Sequence, residues 1–244
     1  MDLHALMDAL LDIIYPPSLE CIICGRRKGV VGATEICPDC YRALPFIHPP
    51  VCLKCGKPIL EDQDLCPDCQ GASHYFEQAR SVFEYTSVIQ KLIHRYKYRG
   101  EVSLCRPFAA LMLEFLQSQD LKWDFEILVP VPLHPRRQKM RGFNQAEKIA
   151  VEISREIGKD IIKDQLIRKK DTLTQVNLDK HQRMWNLWDA FEVKQPRAIQ
   201  GKRILLIDDV YTTGSTADQC SRVLLEAGAV RVYVLALATG RNIR

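Results

Sequence analysis

At 244 residues the chain has room for one large domain, or for a small one beside a medium one. A hydrophobic share of 47% with 26% charged residues argues against wholesale disorder and leaves enough apolar mass for a packed core. The net charge of +4 conceals an asymmetry: residues 1–75 hold six Lys/Arg against ten Asp/Glu, and residues 76–244 hold 28 against 20. The basic excess of the second part suits a polyanionic substrate or nucleic acid. No stretch approaches the roughly 20 uninterrupted apolar residues of a membrane span. The N-terminus lacks the cationic region and small-residue cleavage site of a signal peptide.

In chain order, Leu3, Leu6, Met7, Leu10, Leu11 and Ile14 line one side of an amphipathic helix that Pro16-Pro17 stops. Acids rather than Lys/Arg occupy its polar face, so packing against protein is favoured over a membrane surface.

Four C-x-x-C pairs follow: Cys21/Cys24, Cys37/Cys40, Cys52/Cys55 and Cys66/Cys69. Without an export signal this pattern points to metal in a reducing compartment, and hence to a cytoplasmic protein. Two such knuckles make one tetrahedral four-thiolate site, so eight cysteines suit two structural zinc ions. The spacers of 12 and 10 residues suggest tandem ribbons; a cross-braced pairing, first with third and second with fourth, uses the same ligands. Redox chemistry is disfavoured because no pair follows a strand and opens a helix. Gly25 and Gly56 supply the freedom of a tight knuckle. Cys105 and Cys220 lie on apolar helix faces as core residues.

From Gln78 the pattern changes to α/β. Ala79–Tyr85 alternates as a strand. Val88–Tyr98 reads as a helix with Val88, Leu92 and Tyr96 inward and a basic end at Lys91, His94, Arg95, Lys97 and Arg99. That end reads equally as a solvated face or an anion-facing patch. Pro107–Leu116 is a second helix and Phe125–Val131 a buried strand leaving through Val-Pro-Val-Pro, which holds the chain extended. The segment His134–Gln145 concentrates Arg136, Arg137, Lys139 and Arg141, whose forks match phosphate oxygens, before a helix over Ala146–Ile157. Ile161–Ile167 reads as a strand, Arg168–Gln175 as a cationic lid, His181–Trp188 as a helix and Ala190–Val193 as a strand. Val230–Ala238 is the last strand.

The organising stretch is Arg203–Thr216: four buried-strand residues, the adjacent acids Asp208 and Asp209, then a Thr/Gly/Ser loop opening a helix. Unpaired N–H groups and the positive dipole end of such a loop hold phosphate. Acids at a strand's carboxyl end sit where open α/β sheets bind ligands, and they suit ribose hydroxyls or magnesium. The spacing and lysine of a P-loop are absent. The stretch resembles the phosphoribosyl pyrophosphate motif of type I phosphoribosyltransferases.

Together, the paired ribbons, Lys97-Tyr98-Arg99-Gly100, VPVPLHPRRQKMRGFNQAE and IDDVYTTGST resemble the ComF competence-protein family over nearly the whole chain. The resemblance implies an N-terminal helix (1–17), a double zinc ribbon (18–75) and a phosphoribosyltransferase domain (76–244), a mostly parallel sheet flanked by helices. It implies cytoplasmic handling of incoming single-stranded DNA during natural transformation, beside a DNA-translocating helicase. It assigns Asp208 and Asp209 to the ribose hydroxyls and magnesium, and Thr212, Thr213, Gly214, Ser215 and Thr216 to the 5-phosphate. The turn after Val131, with Arg141 and Lys97, would meet the pyrophosphate. Arg95, Arg99, Arg136, Arg137, Lys139 and Arg141 are the candidate nucleic-acid contacts. Thr212 stands where 6-oxopurine enzymes carry an Asp, which disfavours hypoxanthine or guanine salvage, and no residue announces itself as a general base. An active transferase with an unidentified acceptor and a DNA-handling protein that retains the ligand site both fit these residues.

Overall fold

The computed structural model describes residues 20–27, 29–118, 121–170 and 189–240. The helix expected before Pro16, the lid beyond Lys170 and the helix expected at His181–Trp188 lie outside the described residues. The chain divides into two compact units, residues 1–44 and 45–244. The division falls inside the segment read from sequence as a single double ribbon.

The smaller unit is built on cysteine knuckles. The Cys21 amide donates to the Arg26 carbonyl at 3.0 Å and the Gly25 amide to the Cys21 carbonyl at 2.8 Å. A 3-10 turn (Gly32–Thr34) and a short helix α1 (Pro38–Arg42), opened by a proline at its first turn, carry the second knuckle. Among the described residues of this unit, Cys21, Thr34, Ile36, Cys37 and Leu44 are buried.

The larger unit holds a five-stranded sheet. In chain order it comprises β1 (Gln78–Glu84), α2 (Ser87–Tyr98), α3 (Cys105–Ser118), β2 (Ile127–Pro130), α4 (Pro135–Arg141), α5 (Gln145–Ile157) and β3 (Asp160–Ile161). Then follow β4 (Leu166–Arg168), β5 (Phe191–Val193), β6 (Arg203–Tyr211), α6 (Ser215–Glu226) and β7 (Arg231–Thr239). The sheet order is β1-β7-β6-β2-β3, and every pairing is parallel. β6 and β7 occupy the middle, which is why Ile204–Ile207 and Val232–Ala238 are continuous apolar runs rather than alternating ones. Helices α3 and α5 pack together on one face; α6 covers the other beside the antiparallel β4–β5 ribbon.

The second cysteine quartet belongs to this unit. Cys52, Cys55, Cys66 and Cys69 are buried in the same core as Ile204, Leu206, Val234 and α6's Ala217, Cys220 and Leu224. The Ala79 amide of β1 donates to the Lys54 carbonyl within the knuckle at 2.8 Å. Gly56 (φ +70°) is required there, because a Cβ would stand 2.9 Å from the Ala79 carbonyl oxygen.

Several elements differ from the sequence reading. In α2 Leu92 and Tyr96 point inward as expected, together with Ile89 and Ile93, while Val88 is exposed. The span Ile161–Ile167 is not one strand: β3 ends at Ile161 on the main sheet, and β4 starts at Leu166 in the separate ribbon. The cationic run after His134 is helical over α4, with Pro135 at its first turn and Gly142 (φ +85°) at its end. Arg168 sits in β4, largely buried with its guanidinium 5.4 Å from the Phe191 ring, rather than in a loop. Cys105 and Cys220 are buried, as their helix positions implied.

Candidate functional site

Strand β6 carries Asp208 and Asp209 beyond the end of β2, where it is still paired with β7, and runs on to Tyr211; Thr212–Gly214 then turn into α6. The expected phosphate loop is thus shorter than the Thr212–Thr216 run, since Ser215 and Thr216 are the first helical residues. Gly214, with φ +82°, sits against Tyr211: a Cβ would fall on the phenol hydroxyl, with Cζ at 2.9 Å. Thr213 Oγ1 and Ser215 Oγ lie 2.9 Å apart, bracing the turn from within.

The acids meet a lysine. Tyr96, fully buried, donates its hydroxyl to the Gln145 carbonyl at 2.9 Å and packs edge-on to Phe108 and tilted against Phe143. Burial of so large a side chain stabilises by about 1.5–3 kcal/mol, and it fixes the C-terminal turn of α2. The next residue, Lys97, forms an ion pair with the Asp209 carboxylate. Burial works to lower the Lys97 pKa, but the charge and hydrogen bond of Asp209 outweigh it, so the ammonium is held above its ordinary range. Burial pushes the Asp209 carboxyl up and Lys97 pulls it further down, leaving it ionised. Asp208 is raised well above the ordinary carboxylate range by burial and then by the neighbouring Asp209 charge. The Asp209 amide also donates to Asp208 Oδ1 at 2.8 Å. One lysine therefore compensates one acid of the pair and leaves the second short of positive charge.

The run Arg141–Gln145 closes the other side. Asn144 caps α5 by accepting from the Ala146 amide at 3.0 Å, and its Nδ2 donates to the Val131 carbonyl at 3.0 Å. That bond fastens the Val-Pro-Val-Pro turn to α5. Arg141 donates to Gln145 Oε1 and lies 5.2 Å from the centre of the exposed Tyr98 ring, itself 5.0 Å from the His94 ring.

These elements enclose an open cleft of about 860 Å³. It brings together Lys97, Val131, Arg141, Asp208, Asp209, Thr212, Gly214 and Thr216, with Arg95, Arg99 and Arg137 of the nucleic-acid set. Thr213, Ser215, Arg136 and Lys139 do not line it; Arg136 and Lys139 are exposed on α4. Arg95 is engaged with Glu101 through Nε at 2.9 and 3.0 Å, which commits its fork to the protein. Sequence reasoning misses Tyr85 and Gln90 as lining residues, and does not assign Tyr98 or Gln145 to the site. Tyr98 stands in the Lys-Tyr-Arg-Gly segment and Gln145 in the Arg-Gly-Phe-Asn-Gln segment; Arg168, expected at the start of a lid, lines the cleft from strand β4 instead.

The cysteines form two quartets, Cys21/Cys24/Cys37/Cys40 and Cys52/Cys55/Cys66/Cys69, with all ligand sulfurs in each within 4.8 Å of one another. The tandem pairing therefore holds. A tetrahedral site with Zn–S bonds near 2.3 Å sets sulfurs about 3.8 Å apart. Cys24 and Cys37 stand at 3.9 Å, Cys55 and Cys66 at 3.5 Å, so the donors fit structural zinc.

Sheet order, acid pair and loop-to-helix turn define a type I phosphoribosyltransferase fold with two four-cysteine zinc sites. A family model described as Double zinc ribbon domain matches residues 10–70. "Competence protein ComFC" of Streptococcus pneumoniae is 30% identical over 237 residues, covering 90% of this chain and 99% of that protein. "DNA utilization protein YhgH" of Escherichia coli K12 is 31% identical over 221 residues, covering 89% and 95%. The protein belongs to the ComF family. Among solved structures, a Bacillus subtilis glutamine phosphoribosylpyrophosphate amidotransferase superposes with TM-score 0.39 at 16% identity, over 59% of this chain and 30% of that one. No helix among the described residues is long and apolar enough to cross a membrane.

Proposed function

We propose that this chain is a competence protein whose phosphoribosyltransferase domain binds phosphoribosyl pyrophosphate with magnesium and which handles incoming single-stranded DNA in the cytoplasm, beside a DNA-translocating helicase. The observation that carries the reading is the acid pair on β6, one turn from the Thr212–Gly214 loop, at the floor of a cation-lined cleft. The names of the relatives, competence and DNA utilization, support the biological half.

In this reading Asp208 and Asp209 orient the ribose hydroxyls, and the loop and first turn of α6 take the 5-phosphate through backbone N–H groups and the Thr212 and Thr216 hydroxyls. Two adjacent carboxylates are hard oxygen donors that fit magnesium, and the ammonium already seated on Asp209 marks where positive charge is wanted. Bound magnesium supplies charge neutralisation for the pyrophosphate. Arg137 and Arg141, which line the same cleft, take the leaving group, and Lys97 on Asp209 adds a fixed positive charge beside it. Exposed Arg136 and Lys139, on the same helix as Arg137 and Arg141, continue the basic track outside the cleft for a DNA backbone.

A second reading, active transfer to an unidentified acceptor, draws on the intact acid pair and on the size of the cleft. In transfer the acceptor's nucleophilic atom bonds to the anomeric carbon as the bond to pyrophosphate breaks; pyrophosphate leaves with the electron pair, and the cations of the cleft stabilise the charge that develops on its oxygens.

The test measures two ligands on one preparation: phosphoribosyl pyrophosphate with magnesium by equilibrium dialysis, and a labelled single strand by anisotropy across salt concentrations. Asp208→Asn/Asp209→Asn is expected to lose the first and keep the second. Arg136→Ala/Lys139→Ala should do the reverse, with a reduced salt slope. Loss of both ligands in the acid variant would refute separate sites.

A further inference from the structure

The second cysteine quartet lies against the back of the phosphate loop. Its four residues are at most 4% exposed and share one core with Phe76, Tyr211 and Ala217, the last two flanking the loop. Three separate contacts join this knuckle region to the loop. First, Lys57, just after the Cys52/Cys55 knuckle and only 2% exposed, binds Asp68 of the Cys66/Cys69 knuckle at 2.7 Å and holds its ammonium 5.8 Å from the Tyr211 ring. Second, Phe76 meets the Tyr211 ring edge-on at 6.2 Å, and His74 stacks on Phe76 at 4.8 Å. Third, Asp218, in the first turn of α6, is gripped on both oxygens. The Tyr75 amide donates to Oδ1 at 2.9 Å, and His74 Nδ1 stands 2.8 Å from Oδ2. A carboxylate only accepts, so His74 carries its proton on Nδ1 and donates it. The His74 side chain is 5% exposed, so this bond is shielded from water. The chain of contacts ends at Gly214, whose missing side chain lets the loop rest on the Tyr211 hydroxyl.

We infer that the second zinc knuckle positions the phosphate loop: through Tyr211 from below and through His74 and Tyr75 on Asp218 from the side, it sets the direction of the loop's N–H donors. His74 and Asp218, which do not line the cleft, are positioning residues, and Tyr211, which does line it, braces the loop from below. Phosphate affinity is then linked to the integrity of the second quartet, as expected of groups whose orientation is fixed by a supporting shell. The inference rests on the reading that the Thr212–Thr216 segment holds a phosphate.

The experiment uses the zinc-loaded full chain and two readouts, calorimetric affinity for ribose 5-phosphate and hydrogen–deuterium exchange of residues 212–218. His74→Ala and Asp218→Ala should each weaken binding about tenfold and speed exchange in that segment while β7 stays protected. His74→Asn, which keeps a donor for Asp218, should restore much of both. Glu226→Gln, at the far end of α6, should change neither. If the wild type binds ribose 5-phosphate and His74→Ala and Asp218→Ala match it in affinity and exchange, the positioning role is refuted while the phosphate site stands. If the folded, zinc-loaded wild type does not bind ribose 5-phosphate, the phosphate reading itself fails and the inference falls with it.

Discussion

The two cysteine quartets use the same ligands at nearly the same spacing, yet their surroundings differ. In the first, Cys21 and Cys37 are buried, Cys24 is exposed and Cys40 half-buried, and the residues they organise are a few turns of chain. In the second all four are buried in the core that also holds β6, β7 and α6. The first ties a small unit together, as metal does where apolar residues are too few. The second is a piece of a domain's interior that happens to be made of thiolates. Ligand spacing thus fixes what is bound, while the neighbours decide what the binding is for.

The largest expected effect separates the two sites. Cys52→Ser/Cys55→Ser removes a metal and leaves polar groups in the core, against a total stability of about 5–15 kcal/mol for a typical protein. The larger unit should lose its cooperative melting transition by calorimetry. Cys21→Ser/Cys24→Ser should lower zinc content from two ions per chain to one while that transition persists. Equal melting behaviour in the two variants would erase the distinction.

Next comes the ion pair at the acids. Asp209→Asn leaves Lys97 partly buried without its counter-charge, for which about 3–5 kcal/mol of destabilisation is typical of buried pairs. Adding Lys97→Met should recover a large part of that loss in urea denaturation, because both charges are then gone. A double variant no more stable than the single one would mean that the pair does not set the energy.

Gly214→Ala tests the loop's rest on Tyr211. Its φ of +82° and the clash with the phenol should weaken phosphate binding about tenfold, roughly 1.4 kcal/mol by the usual conversion. Gly214→Ala with Tyr211→Phe relieves only the hydroxyl contact and should recover part of the affinity. Smaller still, Asn144→Ala removes a helix cap and the tie to Val131, with an expected cost of about 1–2 kcal/mol in thermal or denaturant melts.

The same comparison explains what was legible in the sequence. The quartets, the acid pair and the Thr/Gly/Ser turn into α6 declare themselves because their residues are adjacent in the chain. The central strands did so because β6 and β7 are buried on both faces and read as unbroken apolar runs. Helix α4 stayed hidden: Arg136, Arg137, Lys139 and Arg141 give no apolar period, and only Pro135 and Gly142 marked its ends. In α2 the period places Leu92 and Tyr96 inward, but Val88 and Ile89 are adjacent and both apolar, so the pattern alone does not choose between them. The grip of His74 on Asp218 joins residues 144 apart in the chain, and no local pattern encodes such a contact. Lys97 was singled out as a cation for the ligand, but its pairing with Asp209 appears only once α2 is anchored through Tyr96.

The ligand site at the acid pair is tested by a calorimetric titration of the folded, zinc-loaded chain with phosphoribosyl pyrophosphate and magnesium, repeated on Asp208→Asn/Asp209→Asn. The wild type is expected to bind saturably, and the double variant to bind at least about a hundredfold more weakly, roughly 2.7 kcal/mol. Wild-type binding that survives loss of both acids, or no binding by the wild type at all, would contradict a ligand site there.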